Sequence, residues 1–572
     1  MSRHESSSGM TPSDVGLRLA VTTVAAFLLF AGAACKYEQQ SAAPEATPFT
    51  AGRTSAHDPE SVRQRHVLGS PAELAYLREH LPNLGDPRDP IGPEGGFTRE
   101  HTSEEYSFIA DNPFTSPLET PLSTFSIDVD TAAYSNMRRF LNDGRLPPRD
   151  ALRIEELVNY FHYEYPRPVG DAPFSVAVEL SAAPWELKHR LVRIGLQAKE
   201  IETASAPEAN LVFLVDVSGS MNQPNKLPLV KDSLRLLVDL LRGNDRVAIV
   251  VYAGSSGLAL PSTSGANKAE ILGAIDRLSA GGSTNGGEGI ELAYKLAVEN
   301  FVKGGVNRVI LCTDGDFNVG VASEGELVRL IEEKRKTGVF LSVLGFGSGN
   351  YADARMQSLA DKGNGNAFYI DGLAEAKKVL VEQATGTLIT VAKDVKIQVE
   401  FNPAKVASYR LIGYENRVLA ARDFNDDTKD AGEIGAGHQV TALYEIVPAG
   451  GEPRAAEVDE LKYQKAADPS PGAALDEWLT VKLRFKKPDG EKSEKIEVVL
   501  RDGAVGQMSL DFQFAASVAA FGMVLRDSAH KGQANLALVE ELARGGLGND
   551  PGRWRAEFVE LVMAARKLAA GD

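Results

Sequence analysis

Two cysteines, Cys35 and Cys312, stand in 572 residues, which excludes a disulfide framework. Histidine is missing altogether between residues 205 and 388. The serines of that stretch therefore lack the base that a serine nucleophile needs. Basic charge is also short: 61 Lys and Arg face 78 Asp and Glu, a formal net charge of −17, and no basic stripe occurs. Phosphate contacts require clustered cations, so nucleic acid is excluded as a partner. The apolar run of residues 19–34, LAVTTVAAFLLFAGAA, is shorter than the about 20 residues of a membrane-spanning helix.

What is present points to packed, soluble units. Hydrophobic residues make up 43% and charged residues 24%, ordinary values for globular protein. The length exceeds one core, since domains run about 100–200 residues, so three or more folded units are expected. The run 19–34 follows Arg18 and suits a secretory h-region. Gly32, Ala33 and Ala34 before Cys35 resemble a bacterial lipoprotein processing site, with Gly32 where that pattern has a larger aliphatic residue. The resemblance implies a signal peptide over 1–34, lipidation of Cys35 and a bacterial cell-envelope location, the lipid in a membrane and the protein facing periplasm or exterior. A simply cleaved signal and an uncleaved anchor are the alternatives. Glu5 and Asp14 precede Arg18, which makes Met10 a second candidate start. Residues 35–105, rich in Ser, Ala, Pro, Glu and Gly, read as a flexible tether from that anchor.

From 106 to 168 a short strand, TFSIDV, leads through Asp130 and Thr131, the expected caps, into a helix with Tyr134, Met137, Phe140 and Leu141 on one face. A second helix carries Ile154, Leu157, Val158 and Phe161. Asp128 and Asp130 read as strand-end and capping groups rather than metal ligands. Residues 172–200 and 391–500 alternate as strands, with a hairpin expected at the PDG of 488–490. Residues 505–572 read as helical and are expected to pack on that β-rich part. Between the strand tracts, 205–388 alternates apolar β-runs with helical patterns, the grammar of a doubly wound α/β domain with a parallel sheet. In DFNDDTKDAGE, 423–433, the sixth position is Thr428 where a calcium loop requires glycine, so this reads as a solvated loop.

A parallel sheet presents its functional loops at the carboxyl ends of its strands. Three segments leave such ends: DVSGSM with Asp216, Ser218 and Ser220; GGSTNGGEG with Thr284; and TDGDFN with Asp314. In the strand order 3-2-1-4-5-6 all three converge. Neither G-x-S-x-G nor a glycine-rich phosphate loop ending in GK[ST] is present, and Cys312 sits mid-strand as a core residue. The remaining chemistry is oxygen: three hydroxyls and two carboxylates, a hard set that suits Mg²⁺. Three neutral donors leave the ion partly positive and open to an outside Asp or Glu.

These residues resemble the metal-ion-dependent adhesion site of von Willebrand factor type A domains. The resemblance implies that Ser218 and Ser220 ligate the ion directly, that Thr284 joins when ligand binds, and that Asp216 and Asp314 act directly or through water. Mg²⁺, Mn²⁺ or Ca²⁺ is the implied cofactor. The flanks, STFSIDVDTAAYSNMRRFLNDGRLPP and AKDVKIQVEFNPAKV through EIGAGHQVTALYEIV, are similar to conserved segments of bacterial secreted type A domain proteins. The strand tracts on both sides suggest a type A domain inserted in a β-sandwich, and the five-residue oxygen set with no catalytic base makes an envelope-tethered, non-enzymatic adhesion or scaffold module that captures a protein partner's carboxylate the leading expectation. The competing expectations are a Mg²⁺-dependent hydrolase with Asp314 or Asp316 as base, and an envelope scaffold with a vestigial site.

Overall fold

Six strands within 205–388 make one sheet that is apolar on both faces. The structure, a computed structural model, describes residues 104–571 apart from 203–204, 254, 283–285, 316–323, 452–468 and 503–505. These residues fall within the unit Thr98–Asp572. The signal peptide, Cys35 and the tether up to residue 103 lie outside the described residues. In chain order the strands are β1 (Ala209–Asp216), β2 (Arg246–Tyr252), β3 (Ser256–Ser264), β4 (Val306–Thr313), β5 (Phe340–Phe346) and β6 (Ala367–Ile370). Across the sheet they run β3-β2-β1-β4-β5-β6. Every neighbouring pair is parallel except β2 with β3.

Side chains alternate along a strand, and helices on both faces explain why β1 has no polar side. Leu211, Phe213 and Val215 enter one core with Leu234 and Leu237 of the helix Leu227–Leu240. Val212 and Leu214 enter the opposite core with Ile290 and Tyr294 of the helix Gly286–Glu299. Cys312 lies in the first of these cores, fully buried, and burial pushes its thiol well up. The doubly wound α/β fold and its strand order agree with the expectation from the sequence.

This domain interrupts a two-sheet β-sandwich. One sheet contains Leu122–Ser126, Thr390–Phe401, Glu477–Lys486 and Ser493–Arg501 as antiparallel neighbours; the other runs Val406–Ile412, Gln439–Pro448, Glu186–Ala198, Phe174–Ala183. Phe125, Val399 and Leu483 from the first meet Ile194 and Tyr444 from the second in a shared core. The hairpin around 488–490 is present, with Lys486 opposite Ser493. The strand Leu122–Ser126, which the sequence pattern groups with the helices of 106–168, pairs with Lys396–Glu400 and so belongs to the sandwich. The helices Ala132–Asn142 and Ile154–Asn159 join Leu510–Arg526, Leu536–Gly545 and Trp554–Ala570 in one core, where Met137, Leu157 and Phe161 meet Phe512, Phe521 and Phe558. Leu191, Ile412 and Leu443 complete it, so this layer rests on the second sheet. Among the described residues no helix is long and apolar enough to cross a membrane.

The expected caps of the first helix do different work. Thr131 makes no side-chain capping bond, and Asp130 Oδ1 instead accepts from Ala367 N in β6 at 3.0 Å. The open N–H of Ala133 is taken by Glu156 Oε2 at 2.7 Å. Asp128 accepts from Arg417 Nε at 3.0 Å, and the same guanidinium reaches Asp361 at 2.8 Å. Asp426 and Asp427 in the loop 423–433 are likewise engaged, Asp426 in a turn with Thr428 and Asp427 with Arg484.

Buried carboxylates outnumber the cations at this junction, and their proton affinities rise accordingly. Burial, with Asp128 adding to it, pushes Glu155 up to about 7 and Glu156 up to about 8, although Arg153 partly offsets the rise at Glu156. A folded value above the unfolded one, about 4.3, means stability that is full below that value and lost as pH rises through the folded value. The unfolding free energy from urea titrations should therefore fall between about pH 5 and pH 8, by up to about 1.4 kcal/mol per pH unit per group. Glu156→Gln should flatten that slope; an unchanged slope would remove Glu156 as its source.

Candidate metal centre

The chain leaves β1 at Asp216 and folds back over three residues. Asp216 Oδ1 accepts from Ser218 N at 2.8 Å, and Oδ2 accepts from Tyr252 OH, at the end of β2, at 3.1 Å. This closes a turn that sets the Ser218 and Ser220 hydroxyls 3.0 Å apart. Ser218 is buried and Ser220 exposed, so the pair runs from the sheet end toward solvent. Asp216 is fully buried. Burial, with the nearby charge of Asp314 adding to it, lifts its carboxyl to about 6 against the bonds from Ser218 and Tyr252.

β4 pairs with β1 in parallel, Val215 opposite Cys312, and two residues further on it delivers Asp314 beside Asp216. Asp314 is also fully buried. Its Oδ2 accepts from Lys226 Nζ at 2.9 Å, and the same ammonium donates to Asn350 Oδ1 at 3.0 Å. Burial opposes ionisation here, but the bonds from Lys226 and Asn350, the Lys226 charge and a bond from Ser220 outweigh it and hold Asp314 below the usual carboxylate range. The four side chains Asp216, Ser218, Ser220 and Asp314 thus form a continuous set of oxygens.

The third loop comes to the same place. Gly219 N donates to Gly282 O at 3.1 Å, and Gly281 N donates to Val217 O at 2.7 Å. The segment that leads into Thr284 is thereby stitched to the DVSGSM turn; Thr284 itself lies outside the described residues, as does Asp316. The donor chemistry fits a hard divalent cation, with hydroxyl and carboxylate oxygens and no soft or imidazole ligand among them. His189 is bonded to Glu445 in the sandwich, and His438 packs against Gly386. Neither serves Ser218 or Ser220 as a base.

Sequence reading missed Lys226, Asn350 and Tyr252. Lys226 precedes the helix Leu227–Leu240 and has the look of a surface charge at a helix start, yet it is 3% exposed. The available signal was its neighbourhood: it is the first cation after DVSGSM, directly before an apolar helix.

Comparison with known proteins agrees with this architecture. The von Willebrand factor type A domain model matches residues 210–382, and a model described as von Willebrand factor matches 100–193. A third, described as "Uncharacterized protein YfbK, C-terminal", matches 386–568. The protein "Uncharacterized protein YfbK" of Escherichia coli (strain K12) is 45% identical over 470 residues, which covers 80% of each chain. The chain belongs to the YfbK family. It is also similar to "Uncharacterized protein sll0103" of Synechocystis, at 30% identity over 33% of this chain and 43% of that protein. A solved von Willebrand factor type A structure from Catenulispora acidiphila aligns with 69% of this chain and 91% of its own, at 16% identity and a TM-score of 0.40. This YfbK-family chain therefore carries a type A domain within a longer framework.

One glycine fixes where Asp314 points. Gly315 has φ +99°, and a Cβ there would lie 2.7 Å from Ala352 N and 2.8 Å from Asn350 O. Gly315→Ala should cost more than the about 1–3 kcal/mol of backbone strain alone, seen as a lowered melting temperature by calorimetry. Gly304→Ala is the control in this YfbK-family chain, since φ is +73° there but nothing lies within 4 Å. Equal losses in the two variants would show that the packing around Gly315 contributes nothing.

Proposed function

We propose that this chain is an envelope-tethered binding module that captures a carboxylate of a protein partner through a divalent cation, Mg²⁺ or Mn²⁺ foremost. Ser218, Ser220, Asp216 and Asp314 hold the ion, with Thr284 the further ligand that the type A resemblance implies. The observation that carries the reading is the convergence of two hydroxyls and two carboxylates at the carboxyl ends of β1 and β4. When bound, the ion supplies a positive centre with room for one more oxygen. The protein's own side chains orient it: the turn closed by Asp216 aims both serines, and Tyr252 fixes the Asp216 carboxylate. Cys35 carries the lipid, and residues 35–105 give the module reach from the membrane.

A metal-assisted hydrolase is the weaker account. A general base must take up a proton near neutral pH, whereas Lys226 and Asn350 hold the Asp314 carboxylate low. A type A domain acting as a protein-interaction module needs no such base.

Calorimetric titration of Mg²⁺ should give saturable binding to the wild type and none to Ser218→Ala/Ser220→Ala. At an ion concentration a hundredfold above the dissociation constant, the wild type should gain about 2.7 kcal/mol of stability. Identical titrations for both proteins would end the claim. Affinity capture from the native envelope should recover a partner in Mg²⁺ and lose it in EDTA. Cys35→Ser should move the protein out of the membrane fraction; retention there would point to an uncleaved anchor.

A further inference from the structure

The metal centre contains a cation of its own. Lys226 stands at the amino end of the helix Leu227–Leu240, and its side chain runs inward, 3% exposed, to Asp314 at 2.9 Å and Asn350 at 3.0 Å. The path it takes is kept open by the backbone. Gly347, just after β5, has φ +78°, and a Cβ there would lie 2.4 Å from Lys226 Cγ and 2.5 Å from its Cε. A lysine lying on the surface by chance would not need a glycine beside its stem. Nor would it end on the carboxylate that faces Ser220 across the site.

We propose that Lys226 is a built-in counter-cation of the metal centre, which weakens the centre's hold on a divalent ion and leaves the loaded centre more positive toward an anionic partner. The inference rests on the metal-dependent reading above. Formal charges show the trade. Asp216 and Asp314 alone would neutralise a divalent ion; with the Lys226 ammonium in place the loaded centre keeps one positive charge. An incoming carboxylate then meets a net cation instead of a neutral cluster, and its attraction is strengthened by the low exposure of the groups. The same ammonium repels the metal ion, so a loaded centre is favoured chiefly when ion and partner carboxylate are both present. Lys226 acts through Asp314 and is therefore a positioning and charge-setting residue, not a ligand.

Two variants separate charge from support. Lys226→Met removes the ammonium and keeps the apolar stem; Asn350→Asp keeps Lys226 and adds a carboxylate at its second contact, on a partly exposed loop. Mg²⁺ titrations of the full chain, with circular dichroism to confirm folding, should show both variants binding about tenfold or more tightly than the wild type. Weaker or equal binding by a folded Lys226→Met, or an unchanged Asn350→Asp, overturns it: Lys226 is then only a strut for Asp314. If Lys226→Met fails to fold, Lys226→Gln, which drops the charge and keeps a donor for Asp314, decides in its place. Wild-type binding that is lost in Ser218→Ala/Ser220→Ala while neither variant tightens leaves the metal-dependent reading standing and removes this inference. No Mg²⁺ or Mn²⁺ binding by any of the proteins removes both.

Discussion

The parallel pairing of β1 with β4 is the constraint on which the centre depends. Because Val215 stands opposite Cys312, the two chains leave the sheet side by side and place Asp216 and Asp314 at one point. Parallel strands require crossover connections, and here those crossovers are helices that bury both faces of the sheet. The apolar cost of exposing β1 on either side therefore holds the register, and the register holds the carboxylates. A slip of one residue would turn Leu211, Phe213 and Val215 into the core that now receives Val212 and Leu214. The chemistry of the turn is local, but its position is set by some of the most deeply buried residues of the domain.

A second theme is that guanidinium groups, more than apolar contact, tie the type A domain to its frame. Arg138, in the helix Ala132–Asn142, reaches Asp371 at 2.6 Å and Glu375 at 2.7 Å within the type A domain, and Glu557 of the last helix at 3.2 Å. Arg153 pairs with Asp353, and Arg417 bridges Asp128 to Asp361. Planar, multi-donor groups suit such shared sites because each can serve several carboxylates at fixed angles. Buried charge of this kind adds little net stability but makes a misplaced partner expensive, since any carboxylate left unpaired is left in a dry place. The frame and the domain are consequently fixed in orientation by pairing rules that apolar packing alone would not impose.

The sheet was legible in the sequence because both-face burial writes itself as unbroken apolar runs, and the meeting of Asp216, Ser218, Ser220 and Asp314 was legible because DVSGSM and TDG stand at strand ends. The centre's second layer was not. Lys226 and Asn350 come from separate segments, and only the folded chain shows that a lysine with an ordinary helix-start appearance is 3% exposed. Asp130 and Thr131 have the sequence of a helix cap, but a tertiary bond to Ala367 N competes for Asp130, and Glu156 supplies the missing acceptor from another helix. The strand Leu122–Ser126 was recognised as a strand, yet its partners lie about 270 residues away at Lys396–Glu400. Pairings over such separations leave no local pattern to read.

The loop Gly347–Ala352 shows how these layers meet. Gly347 and Gly349 both take positive φ, +78° and +95°, and such a segment has little intrinsic preference for one shape. It is held from both sides. Inside, the stem of Lys226 fills the space beside Gly347 and its ammonium bonds Asn350. Outside, Glu104 Oε1 accepts from Gly349 N at 2.8 Å while its Oε2 pairs with Arg139 at 2.9 Å, and Glu105 N bonds Tyr351 O. The loop that supports Asp314 through Gly315 is thus ordered jointly by the centre's own lysine and by the first described residues of the chain. Removing either contact frees a glycine-rich loop whose conformational entropy opposes the placement of Asn350. The geometry at the oxygens of Asp314 and its neighbours is therefore a property of the framework as well as of the type A domain.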